Sequence, residues 1–164
     1  MPDAVARLRW HIVGRLQTNK ARSVVGYAHA VHSLDRLKLV RALADAVTGA
    51  QREEPLDVFA QVSLDGDPDR GGAPVDALDA LADAVAARPQ LRLRGVMAVP
   101  PMSWEPAAAF ERLAQLSAGV RASHPSADAI SAGMSDDLES ALAHGSTHVR
   151  VGTALLGQRA PVFG

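Results

Sequence analysis

The sequence predicts an α/β fold of the (β/α)8 TIM-barrel type that is incomplete, with about six of the eight β/α units present. Short apolar runs alternate strictly with longer amphipathic segments, which is typical of a parallel sheet with helical crossovers, either doubly wound or a barrel. A whole barrel takes about 250 residues at roughly 25–30 residues per unit, so 164 residues hold about six units. No linker divides the chain, which predicts one domain over residues 1–164.

The bulk composition argues against several classes of protein. Hydrophobic residues make up 48% of the chain, and the net charge of -1 without a basic stripe argues against a nucleic-acid partner. There is no apolar run of about 18 residues and no signal peptide, so we expect no membrane association and a cytoplasmic location. Cysteine is absent, which excludes disulfides and thiolate metal sites.

The first half of the chain contains three predicted strands and two predicted helices. The strands are Trp10–Val13, residues 30–33 and Leu56–Ser63, and the helices are residues 19–28 and 34–47. Thr18 is a candidate cap for the first helix. In the second helix Leu37, Val40 and Leu43 recur at helical spacing, and Gly49 provides a C-terminal stop.

The second half continues the alternation with three more strands and three more helices. The strands are Leu91–Val99, residues 128–131 and residues 147–152, and the helices are residues 74–87, 107–122 and 136–143. Pro74 suits a first helical turn, and Pro89 stops that helix. Ser135 can cap the last helix, which Gly145 ends.

The last predicted strand contains an arginine that is expected to point into the barrel or cleft. The period of two places Val149 and Val151 on one face, with His148 and Arg150 on the other. The apolar face suits packing against helices, so Arg150 faces inward. A buried charge is costly unless it is paired, and a salt bridge with a buried carboxylate is the structural alternative to a ligand site.

Small residues at the ends of the last two strands indicate an anion site. Ser135 opens a helix, whose free N–H groups attract anions, and Gly152 and Thr153 lie at the end of the following strand. In barrels, the loops after the last two strands commonly hold a phosphate. Small residues at strand ends also serve as plain turns and caps, so each one alone is ambiguous.

Four motifs, "LQTNK", "HSLD", "AGMSDD" and "VRVGTALLG", carry a family resemblance that runs from Trp10 to about Arg159. The chain resembles the pyridoxal 5'-phosphate homeostasis proteins, which have the fold of the alanine racemase N-terminal domain. The resemblance implies an intracellular protein that binds pyridoxal phosphate and acts as a non-catalytic carrier or regulator. A fragment of a racemase-like or other phosphate-ligand barrel enzyme, or a vestigial interaction protein, is the alternative.

The resemblance implies seven cofactor-binding residues. These are Ser131, Gly133, Met134, Ser135, Arg150, Gly152 and Thr153. In the family, the positions of Ser135 and of the Gly152–Thr153 backbone hold the phosphate, and that of Arg150 faces the pyridine nitrogen. An arginine cannot accept a proton, so it leaves that nitrogen unprotonated and the ring a poor electron sink, which fits a carrier better than an enzyme.

The sequence departs from the family at its N-terminal side. The family's Schiff-base lysine lies in an "AVSK"-like motif on the first strand, and a "FGENY"-like motif lies on the second, but this chain has neither. We therefore expect the first two units, and the covalent lysine, to be missing. Neither Lys20, in "LQTNK", nor Lys38, on an amphipathic helix, is expected to replace it. An open arc of strands is also expected to self-associate through its edges.

Other polar groups are weaker candidates. His32 and Ser33 end the second strand and could line the same site as the ends of the last two strands. No metal site is expected, because the calcium-like loop Asp65–Gly72 has Arg70 where glycine is needed. His29 and His32 are expected to point to opposite faces of their strand.

Overall fold

The computed structural model describes residues 8–67, 70–152, 155 and 157, and these contain one six-stranded parallel sheet. The strands are β1 Trp10–Ile12, β2 Ala28–Leu34, β3 Leu56–Gln61, β4 Leu91–Met97, β5 Ala129–Met134 and β6 His148–Arg150. Each strand pairs in parallel with the next one along the chain. The predicted parallel sheet with helical crossovers is therefore confirmed.

The helices of the described residues lie in the connections between these strands. They are α1 Ala21–Val25, α2 Leu37–Gly49, α3 Leu78–Ala86, α4 Pro106–Ser123 and α5 Leu138–Ala143, with 3-10 turns at Thr18–Lys20 and Val75–Ala77. The helix expected over residues 19–28 is shorter, because it begins as a 3-10 turn and ends before Gly26. No helix in the described ranges is long and apolar enough to cross a membrane.

Alternation along the strands separates two layers of apolar side chains. The outer layer packs strand residues such as Val31, Val58 and Val96 against the helices. The inner cluster is smaller and consists of Ala30, Phe59, Met97 and Ala129, with Val99 packed against it. Fully burying a large apolar side chain contributes about 1.5–3 kcal/mol, so the outer layer dominates the stability of the fold.

The sheet curls around the inner cluster, which decides between a barrel and a doubly wound sheet. In a flat sheet with strands about 4.8 Å apart, β1 and β6 would lie roughly 24 Å from each other. The rings of His11 on β1 and His148 on β6 have centroids only 6.0 Å apart. The two edge strands therefore face each other across a shared interior, as strands of a barrel do.

Gly95 permits the close approach of β4 and β5. Its φ is +154°, and a Cβ built on it would lie 1.7 Å from the carbonyl oxygen of Ala129. That oxygen belongs to the backbone of the neighbouring strand and cannot move without breaking the ladder between the strands. No residue larger than glycine fits at this position.

We predict that Gly95→Ala destabilises the protein by about 3 kcal/mol or more, since the added methyl group must separate β4 from β5. The control is Gly119→Ala on the exposed face of α4, where a Cβ meets nothing within 4 Å. That change should stabilise the protein by about 0.5–1 kcal/mol, because alanine favours helix more than glycine does. Urea unfolding of both variants measures the difference, and similar effects at the two sites would contradict the packing described here.

Candidate functional site

A chain of polar side chains crosses the interior of the curled sheet. His11 Nδ1 lies 2.7 Å from His32 Nε2, and His32 Nδ1 lies 2.7 Å from the hydroxyl oxygen of Ser131. The same hydroxyl oxygen accepts a hydrogen bond of 3.3 Å from Arg150 Nη1. The four side chains come from β1, β2, β5 and β6, so this series of hydrogen bonds forms only when the sheet curls.

Arg150 points inward, as the period of two predicts. Its Nη2 atom is buried and has no hydrogen-bond partner among the described residues. Burial lowers the pKa of the Arg150 guanidinium, and the charge of Asp137 opposes that effect. No carboxylate in the described part of the chain forms an ion pair with it, so the salt-bridge alternative finds no support there.

His32 is a buried, neutral imidazole held between polar and aromatic partners. Its side chain stacks on Phe59 with ring centroids 4.1 Å apart and an interplanar angle of 22°. Burial, followed by the charges of His11, His148 and Arg150, lowers the pKa of His32 to about 3. The ring is therefore uncharged at neutral pH, and it serves as one hydrogen-bond donor and one acceptor.

Ser33, the other weak candidate, takes no part in this series of hydrogen bonds. It is buried, and its hydroxyl has no hydrogen-bond partner among the described residues. Sequence reasoning named His32 only because it ends a strand, and it missed His11 altogether. Nothing in the sequence shows that residues 21 positions apart meet at 2.7 Å.

The last helix begins two residues later than the sequence analysis predicted. The last helix begins at Leu138 with Asp137 at its N-cap position, whereas Ser135 lies exposed in the turn. The Asp137 carboxylate accepts a 2.6 Å hydrogen bond from the Met134 backbone N–H, and the Asp137 N–H donates to the Met134 carbonyl. Aspartate and serine are equally common at the N-cap position, so "SDD" allowed either choice, and the Asp137 side chain makes no capping hydrogen bond to the helix.

Gly133 makes the turn compact. Its φ is +98°, and a Cβ at this position would lie 2.5 Å from the Cβ of Ala141 on α5. Glycine adopts such a positive φ without strain. The turn therefore sits directly against the helix that follows it.

The ends of β5 and β6 lie side by side, and we call the opening of the interior at Met134 and Arg150 the mouth. Met134, the last residue of β5, pairs with Arg150, the last residue of β6. Ser135 and Gly152 follow these strands and are exposed, and the Gly152 carbonyl accepts a hydrogen bond from the Leu155 N–H. Thr153 lies outside the described residues.

An ionic cluster lies in the interior beside His11. The buried Asp57 carboxylate accepts a 2.6 Å hydrogen bond from Arg92 Nε, with Arg94 Nε at 3.9 Å and His29 Nε2 at 4.0 Å. A strict period of two places His29 and His32 on opposite faces of β2, but the centroids of their rings lie only 5.5 Å and 5.0 Å from that of the His11 ring. The pairing of β1 with β2 shifts between Trp10 and His11, which a strict period of two does not foresee.

The interior histidines do not form a metal centre in the part of the chain that the structure describes. No group of three or more histidine, aspartate or glutamate residues there is arranged to hold a metal ion. His11, His32 and Ser131 are instead hydrogen-bonded to one another.

Sequence comparisons identify the family. A profile of the alanine racemase N-terminal domain matches residues 3–160. A pyridoxal phosphate homeostasis protein from Mycobacterium leprae is 50% identical over 157 residues, covering 92% of this chain and 61% of that protein. One from Corynebacterium glutamicum is 42% identical over 164 residues, covering 97% of this chain and 72% of that protein.

The chain belongs to the pyridoxal phosphate homeostasis protein family. Among solved structures, PipY of Synechococcus elongatus with pyridoxal phosphate bound is similar, with a TM-score of 0.84 and 29% identity. The match covers 95% of this chain and 74% of PipY. The chain thus spans about three-fifths of the length of its Mycobacterium leprae relative. Six parallel strands that curl around an interior agree with the barrel fold of this family.

We predict that the free energy of unfolding decreases on acidification because of His32. Its pKa is about 3 in the folded chain and about 6.5 in the unfolded chain, so between these values the unfolded state binds more protons. This stabilisation is complete above pH 6.5 and is lost as the pH falls. Between pH 6.5 and 5, His32 should account for roughly 1–2 kcal/mol of the decrease.

The measurement is urea unfolding at several pH values for the wild type and for His32→Asn. The variant should lose stability less steeply with falling pH, although His11 and His148, whose pKa values are also lowered, continue to contribute. Identical pH profiles for the two proteins would show that His32 is not a neutral buried base.

Proposed function

We propose that the mouth formed by the ends of β5 and β6 binds pyridoxal 5'-phosphate without a covalent bond. The chain would then act in the cytoplasm as a non-catalytic carrier or regulator of this cofactor. The observation that carries the proposal is Arg150 Nη2, a buried cationic donor without a partner among the described residues. An unpaired donor of this kind costs free energy unless a ligand supplies the acceptor.

The pyridine nitrogen of pyridoxal phosphate fits this donor. Arg150 can only donate, so its partner must be an acceptor with a free lone pair. When bound, the cofactor supplies an electron-withdrawing ring, which is most effective when its nitrogen is protonated. A guanidinium beside that nitrogen keeps it unprotonated, because arginine does not release its own proton and a second positive charge is disfavoured. This supports a carrier role over catalysis of carbanion chemistry.

The phosphate would lie at the exposed side of the same mouth. Ser135 and Gly152 follow two strands whose ends are paired in register through Met134 and Arg150. Their backbone N–H groups and the Ser135 hydroxyl are suitable donors, and the Thr153 hydroxyl would be a further one. Ser131 and Gly133 lie on β5, the strand that precedes Ser135, and would flank the cofactor. PipY, a structural relative, was solved with pyridoxal phosphate bound, which supports this cofactor as the ligand.

Noncovalent binding follows from the lysine content of the chain. Its only lysines are Lys20 and Lys38. Lys20 ends the exposed 3-10 turn after β1, and Lys38 lies on the exposed face of α2. Neither belongs to a strand that lines the interior, so neither is placed to bond to the aldehyde of a ligand beside Arg150.

We predict that Arg150→Met weakens binding of pyridoxal phosphate by about tenfold or more, the effect of a lost hydrogen bond to a charged group. Arg112→Met is the matched control, since Arg112 is exposed on α4 and should leave the affinity unchanged. Equilibrium dialysis measures the dissociation constants. Absence of binding by the wild type, or equal affinities for the wild type and Arg150→Met, would overturn the proposal.

We further predict that pyridoxine 5'-phosphate, which has an alcohol in place of the aldehyde, binds within about threefold of pyridoxal phosphate. The reason is that no bond to the aldehyde contributes to the affinity. Borohydride should accordingly leave no ligand attached to the chain, and mass spectrometry checks this. A stable reduced adduct on Lys20 or Lys38 would contradict noncovalent binding, and inorganic phosphate should compete for the site.

A further inference from the structure

We infer that His32 and Ser131 are positioning residues that direct the guanidinium of Arg150. The hydrogen bonds run in one direction, from the guanidinium through the Ser131 hydroxyl and the His32 ring to Nδ1 of His11. The ring hydrogen of His32 is therefore on Nε2. The effect on ligand binding rests on the proposed function, whereas the direction of the hydrogen bonds is independent of it.

The direction follows from counting donors and acceptors. Arg150 can only donate, so the Ser131 hydroxyl oxygen accepts its 3.3 Å bond. The hydroxyl must place its own hydrogen elsewhere, and the His32 Nδ1 atom lies 2.7 Å away. If Nδ1 accepts, the neutral ring carries its hydrogen on Nε2. That hydrogen then points at His11 Nδ1, which is also 2.7 Å away.

The opposite direction leaves a buried donor without a partner. If His32 Nδ1 carried the hydrogen, it would donate to the Ser131 hydroxyl oxygen. That oxygen also accepts from Arg150, so the hydroxyl hydrogen would have no acceptor among the described residues. Ser131 is 0% exposed, so solvent does not reach it from outside. A buried unsatisfied donor of this kind shifts the equilibrium by about tenfold or more, in favour of the first direction.

The consequence for Arg150 is directional. While Ser131 donates to His32, its lone pairs face Arg150 and hold Nη1, which leaves Nη2 for a ligand. The His32 ring is itself fixed by its stack on Phe59. Without an acceptor at His32, the Ser131 hydroxyl hydrogen loses its partner and can turn toward the guanidinium. The hydrogen and the guanidinium are both positive, so Arg150 is then repelled from its position. His32 thus acts on a ligand only through Ser131 and Arg150.

The first test needs no ligand. The 15N chemical shifts of labelled histidine distinguish a ring that carries its hydrogen on Nε2 from one that carries it on Nδ1. We expect the His32 signal of the wild-type chain to report the Nε2–H form, and we expect Ser131→Ala to reduce that bias by about tenfold as the donor to Nδ1 is lost. A wild-type ring with its hydrogen on Nδ1 would overturn the inference.

The second test uses binding of pyridoxal phosphate and of inorganic phosphate. His32→Phe keeps a ring to stack on Phe59 but removes the acceptor, whereas His32→Asn keeps an acceptor near Nδ1. We expect His32→Phe to weaken binding of pyridoxal phosphate about tenfold and His32→Asn to stay within about threefold of the wild type. The affinity for inorganic phosphate should not change in either variant, because His32 does not contact the proposed phosphate position.

The outcomes separate positioning from a general structural role and from failure of the proposed function. Equal weakening by both variants, or a parallel loss of affinity for inorganic phosphate, would overturn the positioning role. If the wild type binds no pyridoxal phosphate, the proposed function is overturned. The tautomer of His32 then decides by itself whether the direction of the hydrogen bonds is right.

Discussion

The hydrogen bond from Arg150 to Ser131 is the interaction on which the geometry of the interior site depends. A guanidinium inside a protein requires partners for its donors, and here the described residues supply one for Nη1 and none for Nη2. The first donor fixes the direction of the group. The second defines a place where an acceptor must be supplied from outside the chain.

These groups meet only because the sheet curls. Apolar side chains on the outer face hold the helices, and a small inner cluster around Phe59 supports the ring of His32. Gly95 lets β4 and β5 approach closely, and Gly133 turns the chain tightly after β5. Packing in the core therefore sets the geometry of the mouth, while the polar residues on the inner face set its chemistry.

Much of the architecture could be predicted from the sequence, because it depends on local periodicity. The order of strands and helices and the inward direction of Arg150 follow from the alternation of apolar and polar residues. Contacts that depend on curvature could not be predicted. The meeting of His11 and His32 depends on the shift in pairing between β1 and β2. The first residue of the last helix was missed for a different reason, since Ser135 and Asp137 are equally suitable by type for the N-cap position.

The proposed site requires Arg150 to present a hydrogen-bond donor to an unprotonated pyridine nitrogen. The most direct measurement is the 15N chemical shift of the ring nitrogen of labelled pyridoxal phosphate bound to the chain. We expect the shift of a neutral, hydrogen-bonded pyridine, and we expect it to move toward that of the free base in Arg150→Met. The shift of a pyridinium ion in the wild type would contradict it.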